Sequence, residues 1–214
     1  YRMEIKEEKI IELKKTAKEV RRTIIKSLVS AESGHTGGSL GMADIFTAFY
    51  FHILKHNPEE PLWPERDRLI LSNGHIVPAR YSAMAHAGYF SVEELENGLR
   101  KFGTVFQGHP DRKFLPSMET TSGPLGCGLG QASGIALGAK MDGKNFYTYC
   151  IMSDGEHQEG NLWESVMFAG KYKIDNLTGI IDRNNIQITG RTENVMPLES
   201  LRNKYEAFNW NVVE

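Results

Sequence analysis

The stretch Asp154-Gly155-Glu156-His157-Gln158-Glu159-Gly160, answered later by Asp182-Arg183-Asn184-Asn185-Ile186, decides how this chain is read. An apolar run from Phe146 to Met152 delivers the chain to Asp154, and a second, Leu177 to Ile181, delivers it to Asn184. Between them, residues 161–173 carry helical spacing. The pattern predicts a strand–helix–strand unit with an oxygen ligand at the end of each strand. A right-handed crossover makes two such strands parallel, so their C-terminal ends share one edge of the sheet. Asp154 and Asn184 are 30 positions apart (184 − 154), the length of one such unit. One carboxylate and one amide oxygen at that edge suit Mg2+ or Ca2+ completed by backbone carbonyls, water or a ligand phosphate. Gly155 lets a phosphate approach the backbone, and the helix start that follows attracts it. On spacing alone a second reading stands beside this one: Asp-Gly and Asn-Asn are ordinary turn dipeptides.

Working outward, strands that alternate with helices predict an α/β domain with a mostly parallel sheet flanked by helices in three layers. The 214 residues suffice for one sizeable domain, taken as 1–214, with 1–30 as an N-terminal helix or arm. Ile10, Leu13, Ala17, Val20, Ile24 and Leu28 give that helix its apolar stripe. Residues 43–54 read as a buried helix, 69–71 as a short strand, 78–87 and 131–140 as helices, and 103–128 as a long functional irregular stretch. Ser91-Val92-Glu93-Glu94 is a capping box, with Phe90 and Leu95 placed as a hydrophobic staple. Residues 191–197 read as loop, 198–208 as helix and 211–213 as the start of a further strand, so the C-terminal end is taken as incomplete.

A formal net charge of −2 gives no reason to expect nucleic acid or an anionic membrane. No apolar run approaches the roughly 20 residues that span a bilayer. With only Cys127 and Cys150, no disulfide framework arises, and the cytoplasm is the default compartment.

His35, His75 and His109 each sit beside glycine in a loop, where histidines are either simply solvated or functional. Glu159 opens a helix, where a carboxylate is favoured by about 0.3–1 kcal/mol.

Several segments together resemble the transketolase-like, thiamine diphosphate-dependent enzymes. Ser153-Asp154-Gly155 followed by Asn184 resembles their cofactor motif. Residues Ser33 to Gly41, Asp67 to His75 and Gln107 to Pro110 resemble three histidine loops, and Ser122-Gly123-Pro124-Leu125-Gly126 resembles the glycine loop beside the thiazolium. The motifs occur in family order and cover almost all the chain after residue 30, closest to the N-terminal half of transketolase as found where the enzyme is split into two chains. The resemblance implies a thiamine diphosphate-binding fold that holds thiamine diphosphate and Mg2+ (or Ca2+). It implies Asp154, Asn184 and the backbone carbonyl of Ile186 as metal ligands, with His75, Gly123, Pro124, Leu125, Gly155 and Glu159 lining the cofactor. It implies that His35 and His109 contact sugar hydroxyls and move protons, that His75 lies near the diphosphate and the reacting carbons, and that Glu159 sits between protomers.

No segment resembles the pyrimidine-binding domain that carries the cofactor-activating glutamate. The resemblance therefore implies half an active site, completed by a C-terminal subunit, with self-association into a heterotetramer. The activity implied is ketol transfer from a ketose phosphate to an aldose phosphate, as in the pentose phosphate pathway. The rivals are a deoxyxylulose-phosphate synthase-like half acting on another sugar or keto acid, and a degenerate subunit without turnover. A Rossmann dinucleotide binder is weaker, because no Gly-x-Gly-x-x-Gly lies between a first strand and its helix. Two departures from the family pattern stand out: Ser153 in place of the first glycine of Gly-Asp-Gly, and Cys127 where glutamine is common.

Overall fold

The apolar stripe of the first helix forms as its spacing predicts, but its first turns stay exposed and burial begins at Ala17. In the computed structural model, which describes residues 5–188 and 190–214, α1 spans Glu7–Ala31. Residues 1–4, which the sequence reading included in the helix or arm, lie outside the described residues. Ala17, Val20, Ile24 and Leu28 are buried, whereas Ile10 stays exposed. Glu7 and Glu8 occupy the first turn, where the helix dipole favours carboxylates, and Glu32 closes the helix in the left-handed region at φ 52°.

The chain forms two compact units, Tyr1–Arg66 with His75–Ser117, and Asp67–Gly74 with Met118–Glu214. In the first unit α1 packs against α3 (Ala43–Ala48), α4 (Val77–His86) and α5 (Val92–Gly98). Pro78 sits in the first turn of α4, where its missing N–H costs nothing. The capping box of α5 is formed: Ser91 Oγ accepts from the Glu94 N–H at 3.1 Å, and Glu94 accepts from the Ser91 N–H at 2.8 Å.

The second unit holds a parallel sheet in the order β1 (Arg68–Leu71), β2 (Thr148–Ser153), β3 (Leu177–Asp182). Period two sends Ile70, Cys150 and Met152 to one face. There they meet Leu129, Ala132 and Ala136 of α6 (Gly128–Met141) and Leu162, Val166 and Ala169 of α7 (Gly160–Lys171). The small residues of α6 let it lie against all three strands. The architecture is α/β, a parallel sheet flanked by helices. Among the described residues, no helix is long and apolar enough to cross a membrane.

Several expectations need correction. Residues 36–41, read as loop, form a short helix, α2 (Thr36–Gly41). The Ser39 hydroxyl holds it to the His35 carbonyl at 2.6 Å, a bond that glycine-rich composition hides. The single helix expected over 43–54 is interrupted: α3 passes into a wide π-turn over Phe49–Ile53. Residues 191–197 are not plain loop. Strands β4 (Ile186–Gln187) and β5 (Gly190–Arg191) pair antiparallel, and α8 (Thr192–Val195) follows. The last helix, α9, is shorter than predicted, Leu201–Ala207. Residues 211–213 are not a strand, because among the described residues no strand lies alongside to complete a ladder.

Candidate active site

The first unit gathers the three loop histidines. The rings of His35 and His75 have centroids 5.1 Å apart, and those of His35 and His109 6.5 Å apart. Each is placed by a different local device. His35 is the residue before α2, in extended backbone at φ −112°. His75 lies in the 3-10 turn Gly74–Ile76 that leads into α4. His109 follows a loop pinned by buried Phe106, whose ring packs on Phe90 and Tyr81 at 4.7 and 5.7 Å. That loop is wired further by the Arg100 N–H to the Phe106 carbonyl at 2.8 Å and by Thr104 Oγ1 to the Gly98 carbonyl at 2.6 Å.

Burial, reinforced by its two histidine neighbours, pushes His75 down to about 4. His109 is also lowered, by burial first and then by His35 and Arg100. At neutral pH both rings are uncharged, each with one donor and one acceptor nitrogen, which suits them to paired hydroxyls and to proton transfer. Arg100, which the sequence reading passed over, adopts φ 58° and lays its guanidinium against Gly108, where a Cβ would stand 2.6 Å from Nη1.

The second unit carries the strand ends. Ser153 and Asp182 are opposite one another in the register, and the Asp154 N–H reaches the Asp182 carbonyl at 3.2 Å. Asp154 is 1 % exposed. Its Oδ1 accepts from the Gly155 N–H at 2.8 Å. Its Oδ2 accepts from the Asn185 N–H and Arg183 Nη1, both at 2.9 Å, and from Thr192 Oγ1 at 3.1 Å. Asn184 turns its side chain onto its own loop: Oδ1 accepts from the Ile186 N–H at 2.9 Å and Nδ2 donates to Asp182 at 3.1 Å. Asp154 and the 184–186 turn thus meet at adjacent strand ends. Burial raises the Asp182 carboxyl; the Asn184 bond opposes the rise and Asp154 adds to it. Arg183 also grips Glu193 and Glu199, at 2.6 and 2.8 Å, tying the 192–199 segment to the same edge.

The side-chain acceptors that Asp154 and Asn184 bring to this edge are oxygens, a carboxylate and an amide. Among the described residues no group of three or more His, Cys, Asp or Glu gathers around a metal position. A hard cation here would therefore rely on amide, carbonyl and ligand oxygens. Asp154 Oδ1, with one donor, and Asn184 Oδ1, with one, each keep acceptor capacity. The residues fit such an ion.

The glycine loop stands beside these strand ends. Gly126 adopts φ 79°, and a Cβ there would meet Asn161 Oδ1 at 2.5 Å and Glu159 Cβ at 2.8 Å. Glu159 therefore backs the loop, with its own carboxylate on an exposed residue. Gly123 has open space where a Cβ would stand, and Pro124 and Leu125 are partly or well exposed. Cys127 is half-buried, its sulfur accepting from Asn161 Nδ2 at 3.2 Å. The buried polar atoms without a hydrogen-bond partner include both amide atoms of Asn73, just past β1, and Ser122 Oγ in the glycine loop. Orphaned groups of this kind cost about 1–3 kcal/mol each unless a ligand or water satisfies them. These orphaned groups fit a polar ligand.

His157, three residues after Asp154, belongs to the core. Its ring bridges the Ser153 carbonyl and the Tyr205 hydroxyl, each at 2.8 Å, and burial pushes it down to about 4. The sequence reading missed Glu156, which is fully buried with its oxygens on Ser72, Gly126 and Ser153. Nothing in spacing reveals it, since two of these partners lie 84 and 30 residues away.

Residues 13–214 match the family model described as transketolase, thiamine diphosphate binding domain. The chain is 42% identical to one of the apulose-4-phosphate transketolase subunits of Phocaeicola vulgatus, over 91% of this chain and 68% of that one. It is 41% identical to the 6-deoxy-6-sulfo-D-fructose transketolase subunit SqwG of a Clostridium species, over 96% of this chain and 74% of that one. Among solved structures, the transketolase of Campylobacter jejuni superposes with a TM-score of 0.86 at 37% identity, over 92% of this chain. The chain spans only 32% of that protein's length. With the strand-end motif, the glycine loop and the histidine loops in one order, the chain belongs to the transketolase family, in its thiamine diphosphate-binding domain.

Proposed function

We propose that this chain is the diphosphate- and metal-binding half of a transketolase whose pyrimidine-binding domain is carried by a separate subunit, and that residues 1–214 serve as one diphosphate-binding domain. The observation that carries the reading is the meeting of buried Asp154 with the 184–186 turn at adjacent parallel strand ends, beside the glycine loop. Relatives named as transketolase subunits, spanned by this chain over 68% and 74% of their length, support the division into two chains.

In this reading Asp154, Asn184 and the Ile186 carbonyl would hold Mg2+ or Ca2+, which would supply positive charge for the diphosphate. The start of the helix that follows would favour the negative charge of the diphosphate. Gly123, Pro124 and Leu125 line the thiazolium side. Thiamine diphosphate, when bound, supplies the carbanion-stabilising chemistry that breaks and remakes a carbon–carbon bond. His35 and His109 bind the sugar's hydroxyls and relay protons, and His75 donates toward the reacting centre from a neutral ring. Glu159, on an exposed residue beside Gly126, faces the neighbouring protomer. The substrates are ketoses and aldoses bearing an anionic group, as the relatives' names, a sugar phosphate and a sulfo-sugar, suggest.

The test is isolation of the native complex from source cells, followed by a ketol-transfer assay on the purified pair with sugar phosphates. Activity of the pair and none from this chain alone is the expected result. Turnover by the isolated chain, or a complex that binds cofactor and transfers no ketol unit, overturns it.

A further inference from the structure

We propose that Glu156 is a positioning residue: its buried carboxylate latches the glycine loop to the ends of β1 and β2 and so sets the cofactor-facing surface. The proposal rests on the reading that this loop faces thiamine diphosphate. Glu156 is 0 % exposed. One oxygen accepts from the Gly126 N–H at 3.2 Å and from the Ser72 hydroxyl. The other accepts from the Ser153 N–H at 2.8 Å and the Ser153 hydroxyl at 3.0 Å. Ser72 Oγ in turn accepts from the Gly128 N–H at 3.1 Å. One side chain therefore gathers the end of β1, the end of β2 and the amides on both sides of Cys127.

The residue type follows from the partners. All four groups facing the carboxylate are donors, and a carboxylate is an acceptor on both oxygens. Glutamine is nearly isosteric but would turn an NH2 against one pair of donors. Nor does the carboxylate serve the core in the usual way, since an apolar side chain of similar volume generally stabilises a buried site at least as well as a charge. Its bonds run instead to the strand ends and to the loop beside them. The close fit at Gly128, where a Cβ would come within 2.4 Å of Ser72 Cβ and 2.6 Å of Ser72 Cα, leaves no slack between that loop and β1.

The experiment compares wild type, Glu156→Gln and Ser72→Ala in the complex with the partner subunit. Amide hydrogen exchange is followed at Gly126 and Gly128, thiamine diphosphate affinity is measured with Mg2+ present, and kcat at saturating cofactor is read alongside. In Glu156→Gln we expect exchange to accelerate at Gly126 and Gly128 but not along α6 or β2. The apparent KM for thiamine diphosphate should rise about 10-fold or more, the scale of one lost charge-assisted hydrogen bond, with kcat far less affected. Ser72→Ala should free Gly128 and leave Gly126 protected, which keeps the test decisive if Glu156→Gln folds poorly. Unchanged exchange at both glycines overturns the latch. Accelerated exchange with unchanged cofactor affinity overturns its link to the cofactor, and exchange raised throughout the unit with KM unmoved assigns Glu156 a merely structural role. Failure of the wild-type complex itself to bind thiamine diphosphate overturns the functional reading and this proposal with it, and shows before any variant is made.

Discussion

His75 is held neutral chiefly by burial, and only secondarily by the charges that His35 and His109 would carry. An NMR titration should therefore place its midpoint near pH 4, and His35→Ala should raise that midpoint while leaving it below the usual histidine value of about 6.5. A midpoint at the usual value would contradict the described packing. The sign for stability follows: the unfolded chain takes up a proton at this residue before the folded chain does. Stability contributed by neutral His75 is complete above the unfolded value, falls as pH drops through the window down to about 4, and falls no further below it. Gly128 makes a second prediction at this scale. An alanine there would drive its Cβ into Ser72 backbone and side chain, so Gly128→Ala should destabilise the unit by about 1–3 kcal/mol in denaturant titrations. A neutral result would mean that the loop and β1 are not in close contact.

At the level of elements, the capping box gives a clean test because it is exposed and its bonds are local. Ser91→Ala removes the acceptor of the Glu94 N–H and should cost about 1 kcal/mol. Leu162 of α7 is fully buried against α6 and the sheet, and Leu162→Ala should cost about 2–5 kcal/mol. Both are read from chemical denaturation midpoints; a cost near zero for Leu162→Ala would contradict the packing of α7. These same elements were the legible ones. Phe146 to Met152 and Leu177 to Ile181 announced β2 and β3 because both stretches are rich in apolar residues, although β2 is mostly buried while β3 buries Leu177 and leaves the rest at least partly exposed. Ser91 with Glu94 announced a helix start because both bonds of the box are local. What stayed hidden was fixed from a distance or against composition. Thr36-Gly37-Gly38-Ser39 has the composition of a loop, yet Ser39 ties it into a turn of helix. The wide turn at Phe49–Ile53 has no pattern of its own. Glu156 looked like one more acidic residue after Asp154, because its partners Ser72 and Gly126 are brought to it only by the fold. In the candidate site, the spacing of Asp154 and Asn184 was readable, but the grip of Arg183 on Asp154, Glu193 and Glu199 was not, since it depends on where the 192–199 segment returns.

For the whole molecule, the fold divides the labour between two compact units: one gathers three histidines, and the other ends its parallel strands on Asp154 and Asn184 beside a glycine loop. Asp154 is buried at those strand ends. Under the proposed function, Asp154 would hold a divalent cation that helps bind thiamine diphosphate. The measurement is calorimetric titration of thiamine diphosphate into the chain with its partner subunit, with Mg2+ and with chelator, for wild type and Asp154→Asn, each checked for native circular dichroism. The account predicts saturable binding by wild type only with the divalent ion, and affinity lowered at least about 10-fold in Asp154→Asn, whose amide cannot neutralise the ion. Equal binding by folded wild type and Asp154→Asn, or wild-type binding indifferent to chelator, would contradict it.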